Sequence, residues 1–329
     1  MAKMVAEFMQ KPVKKYACGK RAEQAKKTLM NAFVASSQKK AVSEKAQLEK
    51  MIDIVNKTPT GRETLKNLSK AGCSIHFDGL EGMGGFFSPG KNKLVINRNM
   101  SLESMAILLV HEGTHAVQWY LKGSKDFAAI NYSAADVFRN GRAKEADAYA
   151  HQTAFSYECK TAYPVIYQMI MEKNPHLSGL LKTYEGEMEK SGDSEKAMQK
   201  TFTGWYENVP MMNSYDNNYK TFVTGWLQED RKGLFQKELS DEVILKQLRH
   251  NGKKYVSEDF LKSGIANSIR LADKQEIYAA MIGYARKVGE RADLSVLKMN
   301  DRTEDGKLIP PRNKAAKTAV VSKLRQKSR

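Results

Sequence analysis

The stretch "ILLVHEGTHAVQWYL", residues 107–121, places His111 and His115 four positions apart in an otherwise apolar run, with Glu112 between them. Residues four apart project from the same face of an α-helix, about one turn from each other. The two imidazoles can therefore bind one cation, and Zn²⁺ is the ion that this ligand type and spacing favour. Glu112 is offset by about 100° around the helix. From there it can reach a water on the metal without binding the metal itself.

The residues around this HExxH motif decide between a metal site and a chance match. In unrelated helices the motif consists of ordinary surface polar groups. Here the helix is apolar on nearly every side, which predicts that it is interior. The apolar positions are Ile107, Leu108, Leu109, Val110, Ala116, Val117 and Trp119. Burying two imidazoles and a carboxylate without partners would cost several kcal/mol, and a bound metal removes that cost. The sequence therefore predicts a metal site.

A third ligand has to come from another part of the chain. The position six residues beyond His115, where some zinc peptidases carry a third histidine, is Leu121. A carboxylate from a later helix is the other common solution, and the segment "AKEADAYAHQ" offers Glu145 and Asp147. The spacing leaves room for a loop and the start of a second helix, so either residue can complete the site.

Three short segments before the motif are typical of β-strands: "SIHF" (74–77), "GGFFS" (84–88) and "KLVIN" (93–97). The tight connection "PGKN" predicts that the second and third segments pair as an antiparallel hairpin. The pattern elsewhere is helical, over 18–56, in a second helix that ends at Gly72, and up to about residue 300. The segment 207–219, "ENVPMMNSYDNNY", is rich in turn-forming residues and is predicted to be a loop.

Strand hairpin, "HEGTHAVQ" helix and "EADAYA" helix together resemble the gluzincin branch of zinc peptidases, in which a glutamate downstream of HExxH is the third ligand. The similarity is greatest to metallopeptidase-like domains of unknown function found in many bacteria, and it covers about residues 73–155. The resemblance implies a zincin-like core. The chain is also similar, more distantly, to the "ExxAD" peptidases, but the ligand position of that pattern is Ala143 here, which cannot bind a metal.

The ligand role then falls to Glu145 or Asp147, and we favour Glu145. Asp147 would in that case be a second carboxylate that orients one of the histidines. Solvent-exposed helix charge is the alternative for both. Tyr149 is a further candidate, as a hydrogen-bond donor to an oxyanion beside the metal, with core packing as its alternative.

We therefore expect an α+β fold that is predominantly helical, with a zincin-like core, a small antiparallel sheet, the HExxH helix and a C-terminal helical region. Four segments are predicted along the chain: a basic helical N-terminal arm (1–50), a zincin-like catalytic core (51–160), a helical C-terminal region (161–300) and a basic disordered tail (301–329).

The net charge of +17 is concentrated at the two ends of the chain. Residues 1–50 contain 12 Lys and Arg against 4 Glu, and residues 301–329 contain 9 against 3 acidic residues, so the remainder is close to neutral. Basic ends can hold nucleic acid, an acidic partner or an anionic membrane surface. Solubility alone is an equally good explanation.

These observations predict a zinc-dependent peptidase with one Zn²⁺, Glu112 as general base and a peptide or protein substrate. Such a peptidase could also serve a single target protein. The alternative is a non-catalytic, metal-stabilised binding protein whose basic termini hold nucleic acid or an acidic partner, although no helix-turn-helix, zinc-finger or RNP motif supports that role. The chain lacks a signal-peptide pattern and a run of about 18 apolar residues. Its three cysteines form no CxxC pair. We expect a cytoplasmic protein without a membrane span.

Overall fold

The computed structural model describes residues 20–31, 38–121, 123, 129–229 and 232–311, most of which are helical. The helices are α1 (Lys20–Asn31), α2 (Gln38–Val55), α3 (Pro59–Ala71), α4 (Leu102–Tyr120), α5 (Ala134–Ala162), α6 (Pro164–Lys173), α7 (Pro175–Ser191), α8 (Ser194–Glu207), α9 (Val209–Trp226), α10 (Asp241–Gln247), α11 (Glu258–Lys262) and α12 (Leu271–Val288). The strands are β1 (Ser74–Asp78), β2 (Gly85–Ser88), β3 (Lys93–Asn97), β4 (Arg249–His250), β5 (Lys253–Lys254), β6 (Ser268–Arg270) and β7 (Asn300–Arg302). Within the described part of the chain, no helix combines the length and the apolar character needed to cross a membrane.

The sheet next to the motif helix has the strand order β1-β3-β2. The predicted antiparallel hairpin of β2 and β3 is confirmed, with Phe86 opposite Val95. The prediction of a wholly antiparallel sheet is wrong, because β1 pairs with β3 in parallel. The continuous apolar run of β3 suits a central strand that is covered on both faces, whereas the half-exposed β2 is left at an edge.

Helix α4 carries the motif and is interior, as predicted from its apolar sequence. It begins after Ser101, whose side chain accepts a hydrogen bond from the backbone N–H of Ser104 and so satisfies one free donor of the first turn. It packs against α2, α3, α5 and the sheet. The side chains of α3 come so close that a Cβ on Gly113 would lie 2.9 Å from Thr64 Cγ2. This close packing fixes the direction in which the motif side chains point.

Helix α5 runs alongside α4. It begins at Ala134, because Ser133 caps its first turn by accepting from the N–H of Asp136. It ends at Ala162, and Pro164 opens the next helix. Its residues contribute to all three hydrophobic cores of the described chain, which makes α5 the central element of the fold.

The segment 207–219 is helical, and its prediction as a loop is wrong. Asn208 caps α9 by accepting from the N–H of Met211, and Pro210 lies in the first turn, where a missing N–H costs nothing. The turn-forming residues therefore start a helix here. Tyr219 and Val223, one turn apart, are buried against other helices.

The start of the predicted disordered tail is ordered. Strand β7 pairs in parallel with β6, and Ile309 donates a backbone hydrogen bond to Asp301. Arg302 anchors this segment, since its guanidinium donates to Asp216 Oδ2 at 2.6 Å, and both side chains are fully buried. The disorder predicted for residues 301–311 is thus wrong, and residues 312–329 lie outside the described part.

Asp216 also accepts two hydrogen bonds from Arg142 of α5, at 2.7 and 2.6 Å, so one buried carboxylate is paired with two guanidinium groups. We expect Asp216→Asn to lower the free energy of unfolding by about 3 kcal/mol, because it leaves two buried cations without a counter-charge. Urea denaturation at fixed zinc concentration measures the change. The exposed Glu207→Gln is the control and should stay within about 0.5 kcal/mol of the wild type. Equal stability of the two variants would contradict the prediction.

Candidate metal centre

Helices α4 and α5 bring three of the sequence-predicted residues together. His111 Nε2 lies 3.5 Å and His115 Nε2 lies 3.4 Å from the same atom, Glu145 Oε2. These three atoms lie within 4.8 Å of one another. Among the described residues, no other three His, Cys, Asp or Glu side chains bring their ligand atoms so close together. The cluster therefore has the composition of a metal site with three protein ligands.

The spacing of these atoms fits zinc. Tetrahedral coordination with bonds of about 2.0–2.1 Å places neighbouring ligand atoms about 3.3 Å apart, close to the two distances from Glu145 Oε2. That oxygen is buried, and no group in the described chain forms a hydrogen bond with it. A buried carboxylate oxygen without a donor is costly, and a cation between it and the imidazoles removes the cost.

Two glutamines hold the imidazoles in the tautomer that a metal needs. Gln152 Oε1 lies 2.9 Å from His111 Nδ1, and Gln118 Oε1 lies 3.0 Å from His115 Nδ1. The orientation of Gln118 is fixed, because its Nε2 donates to Lys144 O and to Asp147 Oδ2. An amide oxygen only accepts, so in the neutral form of each imidazole Nδ1 carries the proton and the Nε2 lone pair points at Glu145.

The charges of the cluster are strongly coupled. Burial alone would raise the pKa of Glu145, but the imidazoles of His115 and His111 lower it far below its usual value. Burial alone would lower the pKa of His115, but the carboxylates of Glu145 and Glu112 raise it to about 9. Without metal, the cluster thus holds a proton on His115 at neutral pH, which a metal ion must displace.

Glu112 lies beside the cluster and does not belong to it. Its Oε2 accepts a hydrogen bond of 3.0 Å from the backbone N–H of Phe87 in β2. Because this N–H faces α4, the backbone groups of Phe87 point away from β3, toward the cleft. The carboxylate is thus held between the cluster of His111, His115 and Glu145 and the free edge of the sheet.

Asp147 is placed away from the imidazoles. Its carboxylate is fully buried and accepts from Gln118 Nε2 at 2.7 Å and from the hydroxyl of Tyr255 at 2.5 Å. Gln118 thus lies between Asp147 and His115 and contacts both side chains.

Tyr149 and two tyrosines of α9 form the wall opposite α4. The ring of Tyr149 packs edge-on against His111, with centroids 4.7 Å apart, and its hydroxyl receives a hydrogen bond of 3.2 Å from Tyr215. The buried hydroxyl of Tyr219 has no hydrogen-bond partner in the described chain. Gly141 makes room for this ring, since a Cβ there would lie 2.5 Å from Tyr219 Cζ.

Two clefts meet at the cluster, and both are lined by His111, Glu112 and Tyr215. The first, here the aromatic cleft, has a volume of about 980 Å³. Its walls include Phe86, Phe87, Trp119, Tyr219, Phe222 and Trp226. The second, here the methionine cleft, has a volume of about 670 Å³. Its walls include Met100, Met169, Lys173, His176 and Met211. A substrate can therefore approach the cluster from either side.

Four residues around the cluster were missed in the sequence. Gln118 and Gln152 had a local signal, since the first follows His115 by three positions and the second follows Glu145 by seven, so each shares a helix face with that residue. Tyr215 and Tyr219 are four positions apart, which places them on one face of a helix. This relation was missed because residues 207–219 were predicted to be a loop.

A family model described as "Putative metallopeptidase family (DUF6782)" matches residues 22–251 of the chain. The match includes α4, α5 and α9, which together surround the cluster. No curated protein and no solved structure was found to be significantly similar to the chain.

Proposed function

This chain belongs to that putative metallopeptidase family, and from this premise we propose that it is a zinc-dependent peptidase of the HExxH type with a zincin-like core. His111, His115 and Glu145 would bind one Zn²⁺. The observation that carries the proposal is the meeting of two imidazole nitrogens and one carboxylate oxygen at the junction of two clefts, beside a further carboxylate, Glu112.

A zinc ion bound there would supply a Lewis acid, which makes water acidic enough to lose a proton near pH 7 and withdraws electrons from a peptide carbonyl. Glu112 takes the proton of the attacking water on its carboxylate and passes it to the leaving amine nitrogen. The N–H of Phe87 holds Glu112 Oε2 in position for both transfers. Tyr149 accepts from Tyr215, which leaves its own hydroxyl proton for the oxyanion.

The remaining polar groups orient these residues. Gln152 and Gln118 keep the metal-facing nitrogens of His111 and His115 unprotonated. Asp147 holds Gln118 and is held in turn by Tyr255, so it acts on His115 through one intermediate side chain.

The free edge of β2 is the place for the substrate backbone. The resemblance to zinc peptidases implies that one hairpin strand pairs with an extended substrate, and β3 is excluded because both of its edges are already paired. The carbonyl of Phe87 faces the cleft, while its N–H is donated to Glu112, and both backbone groups of Gly85, two positions along, point the same way. Main-chain hydrogen bonds to this edge would hold a peptide independently of its sequence.

The alternative of a metal-stabilised binding protein rests on the basic ends of the chain. Residues 1–19 and 312–329 lie outside the described part, and membership of a metallopeptidase family favours hydrolysis. We therefore keep binding of nucleic acid or of an acidic partner only as a hypothesis about the basic termini, independent of the function of the site.

Removal of the metal tests the proposal. Dialysis against a chelator should abolish hydrolysis of an unfolded protein substrate or of a proteome-derived peptide mixture, and one equivalent of Zn²⁺ should restore it. The peptide mixture would also reveal cleavage by a peptidase that acts on only a few sequences. Elemental analysis should give one zinc per chain after reloading. Undiminished hydrolysis by protein that is free of zinc would refute the proposal.

A further inference from the structure

We propose that the site cleaves internal bonds of an extended chain and takes a large apolar side chain, next to the scissile bond, into the aromatic cleft. This inference rests on the proposed peptidase function and names its substrate class. Three observations carry it: the two-sided access, the groups available to bind a chain end, and the exposed apolar side chains.

The access to the cluster is open on both sides. The aromatic and methionine clefts share His111, Glu112 and Tyr215, so the scissile bond lies at the point where they meet. Each cleft has the volume of a site for several side chains. A peptide can therefore continue in both directions from the bond, whereas an enzyme that removes terminal residues needs one side closed.

Besides Glu112 and Glu145, one acidic residue lines the aromatic cleft, Asp136, and it is not available to bind the amino terminus of a peptide. Asp136 is buried and accepts from Ser133, Leu239 and Arg139. Its charge is already compensated, so it does not offer a counter-charge to a free amino terminus. The methionine cleft contains Lys173 and His176 and no carboxylate other than Glu112. These two basic residues could bind the free carboxyl terminus of a peptide. The alternative that the experiment has to test is therefore an enzyme that requires a free carboxyl terminus on its substrate.

The apolar side chains of the aromatic cleft are unusually exposed. Six large apolar side chains are exposed in the described part of the chain, and three of them line this cleft: Met83 at 52%, Phe86 at 40% and Phe222 at 53%. Phe222 also stacks on Trp226, with the ring planes 22° apart. Exposed apolar side chains that gather in one groove mark a binding surface, since a ligand of the same character would remove them from water.

The test uses alanine- and serine-based decapeptides that carry one Phe, Leu, Ser or Asp at the centre and are blocked at both ends by acetyl and amide groups. Zinc-loaded wild type should cleave the blocked Phe and Leu peptides internally, next to that residue. Their kcat/KM should be at least about tenfold above that of the Ser and Asp peptides. Unblocking either end should change kcat/KM by no more than about threefold. Cleavage that requires a free end, or that is indifferent to the central residue, would overturn the inference.

Two variants locate the effect. Phe222→Ser should lower kcat/KM for the Phe peptide about tenfold, and by a larger factor than it lowers kcat/KM for the Ser peptide. Val165→Ser is the matched control, since Val165 is also exposed, at 50%, but does not line either cleft, and it should change neither peptide. Equal effects of the two variants would count against the aromatic cleft.

A binding measurement separates this inference from the proposed function. Glu112→Gln should bind the fluorescent, doubly blocked Phe peptide, and addition of Phe222→Ser should weaken that binding about tenfold. If wild type hydrolyses no peptide, the proposed function fails, and this selective binding would still support an apolar chain-binding cleft. Absence of binding, or binding without preference for Phe over Ser, would overturn the inference in either case.

Discussion

Replacement of Glu112 by Gln is expected to lower the rate of peptide hydrolysis by roughly 10²- to 10⁴-fold without changing the zinc content. The amide cannot take the proton of the attacking water, whereas its shape is nearly that of the carboxylate. Its carbonyl oxygen can still accept the hydrogen bond that Phe87 donates to Glu112 Oε2. The loss should therefore appear in kcat, with little change in KM. Hydrolysis is measured on protein whose zinc content is checked by elemental analysis.

The control for this prediction is Glu207→Gln, an equally conservative change at an exposed position at the end of α8. It should keep full activity. Unchanged turnover of a zinc-loaded Glu112→Gln protein would refute the assignment of Glu112 as general base. A loss of zinc together with activity would instead place Glu112 among the groups that hold the metal.

The part of the site that could be predicted from the sequence is the part in which the signal is local. His111, Glu112 and His115 lie within five positions of one helix, and the apolar residues around them fix its burial. The hairpin of β2 and β3 is similarly local, because a tight Pro-Gly connection leaves its strands few alternatives. In each case the determining interactions lie within one or two turns of the chain.

Long-range pairing could not be predicted in this way. The parallel pairing of β1 with β3 depends on how residues 79–84 cross the sheet, and the residues of β1 themselves do not specify a direction. Strand β7 is ordered by an ion pair between Arg302 and Asp216, which are 86 positions apart. A basic, proline-containing segment looks disordered when its buried counter-charge lies elsewhere in the chain.

Helix α9 shows how capping residues can be misread. Asn208 and Pro210 favour a turn when they are considered alone, but they also suit the first turn of a helix. Asp216 makes the middle of the segment look polar and exposed, although it is buried against Arg142. The loop prediction hid the wall of the site, because Tyr215 and Tyr219 line the cleft only when the segment is helical.

The assignment of Glu145 rather than Asp147 as the third ligand predicts a second large effect, on the affinity for zinc. We expect Glu145→Ala to weaken zinc binding by about 10²- to 10³-fold, since a structural zinc site is worth roughly 10–16 kcal/mol shared among about four ligands. Asp147→Asn should weaken it by about 10- to 100-fold at most, because Asp147 reaches His115 only through Gln118. Competition with a chromophoric chelator measures both affinities. A larger loss for Asp147→Asn would reverse the assignment.

The protons released on zinc binding give an independent readout of the same site. In the metal-free protein the pKa of His115 is about 9, so its imidazole is protonated at pH 7 and has to lose that proton to bind zinc. Calorimetry in two buffers of different ionisation enthalpy should show release of about one proton per zinc, and the affinity should rise with pH up to about 9. In Glu145→Ala the carboxylate that contributes most to raising this pKa is missing and only Glu112 remains, while burial still lowers the pKa. The released proton should then largely disappear at pH 7, and an unchanged release would separate His115 from Glu145.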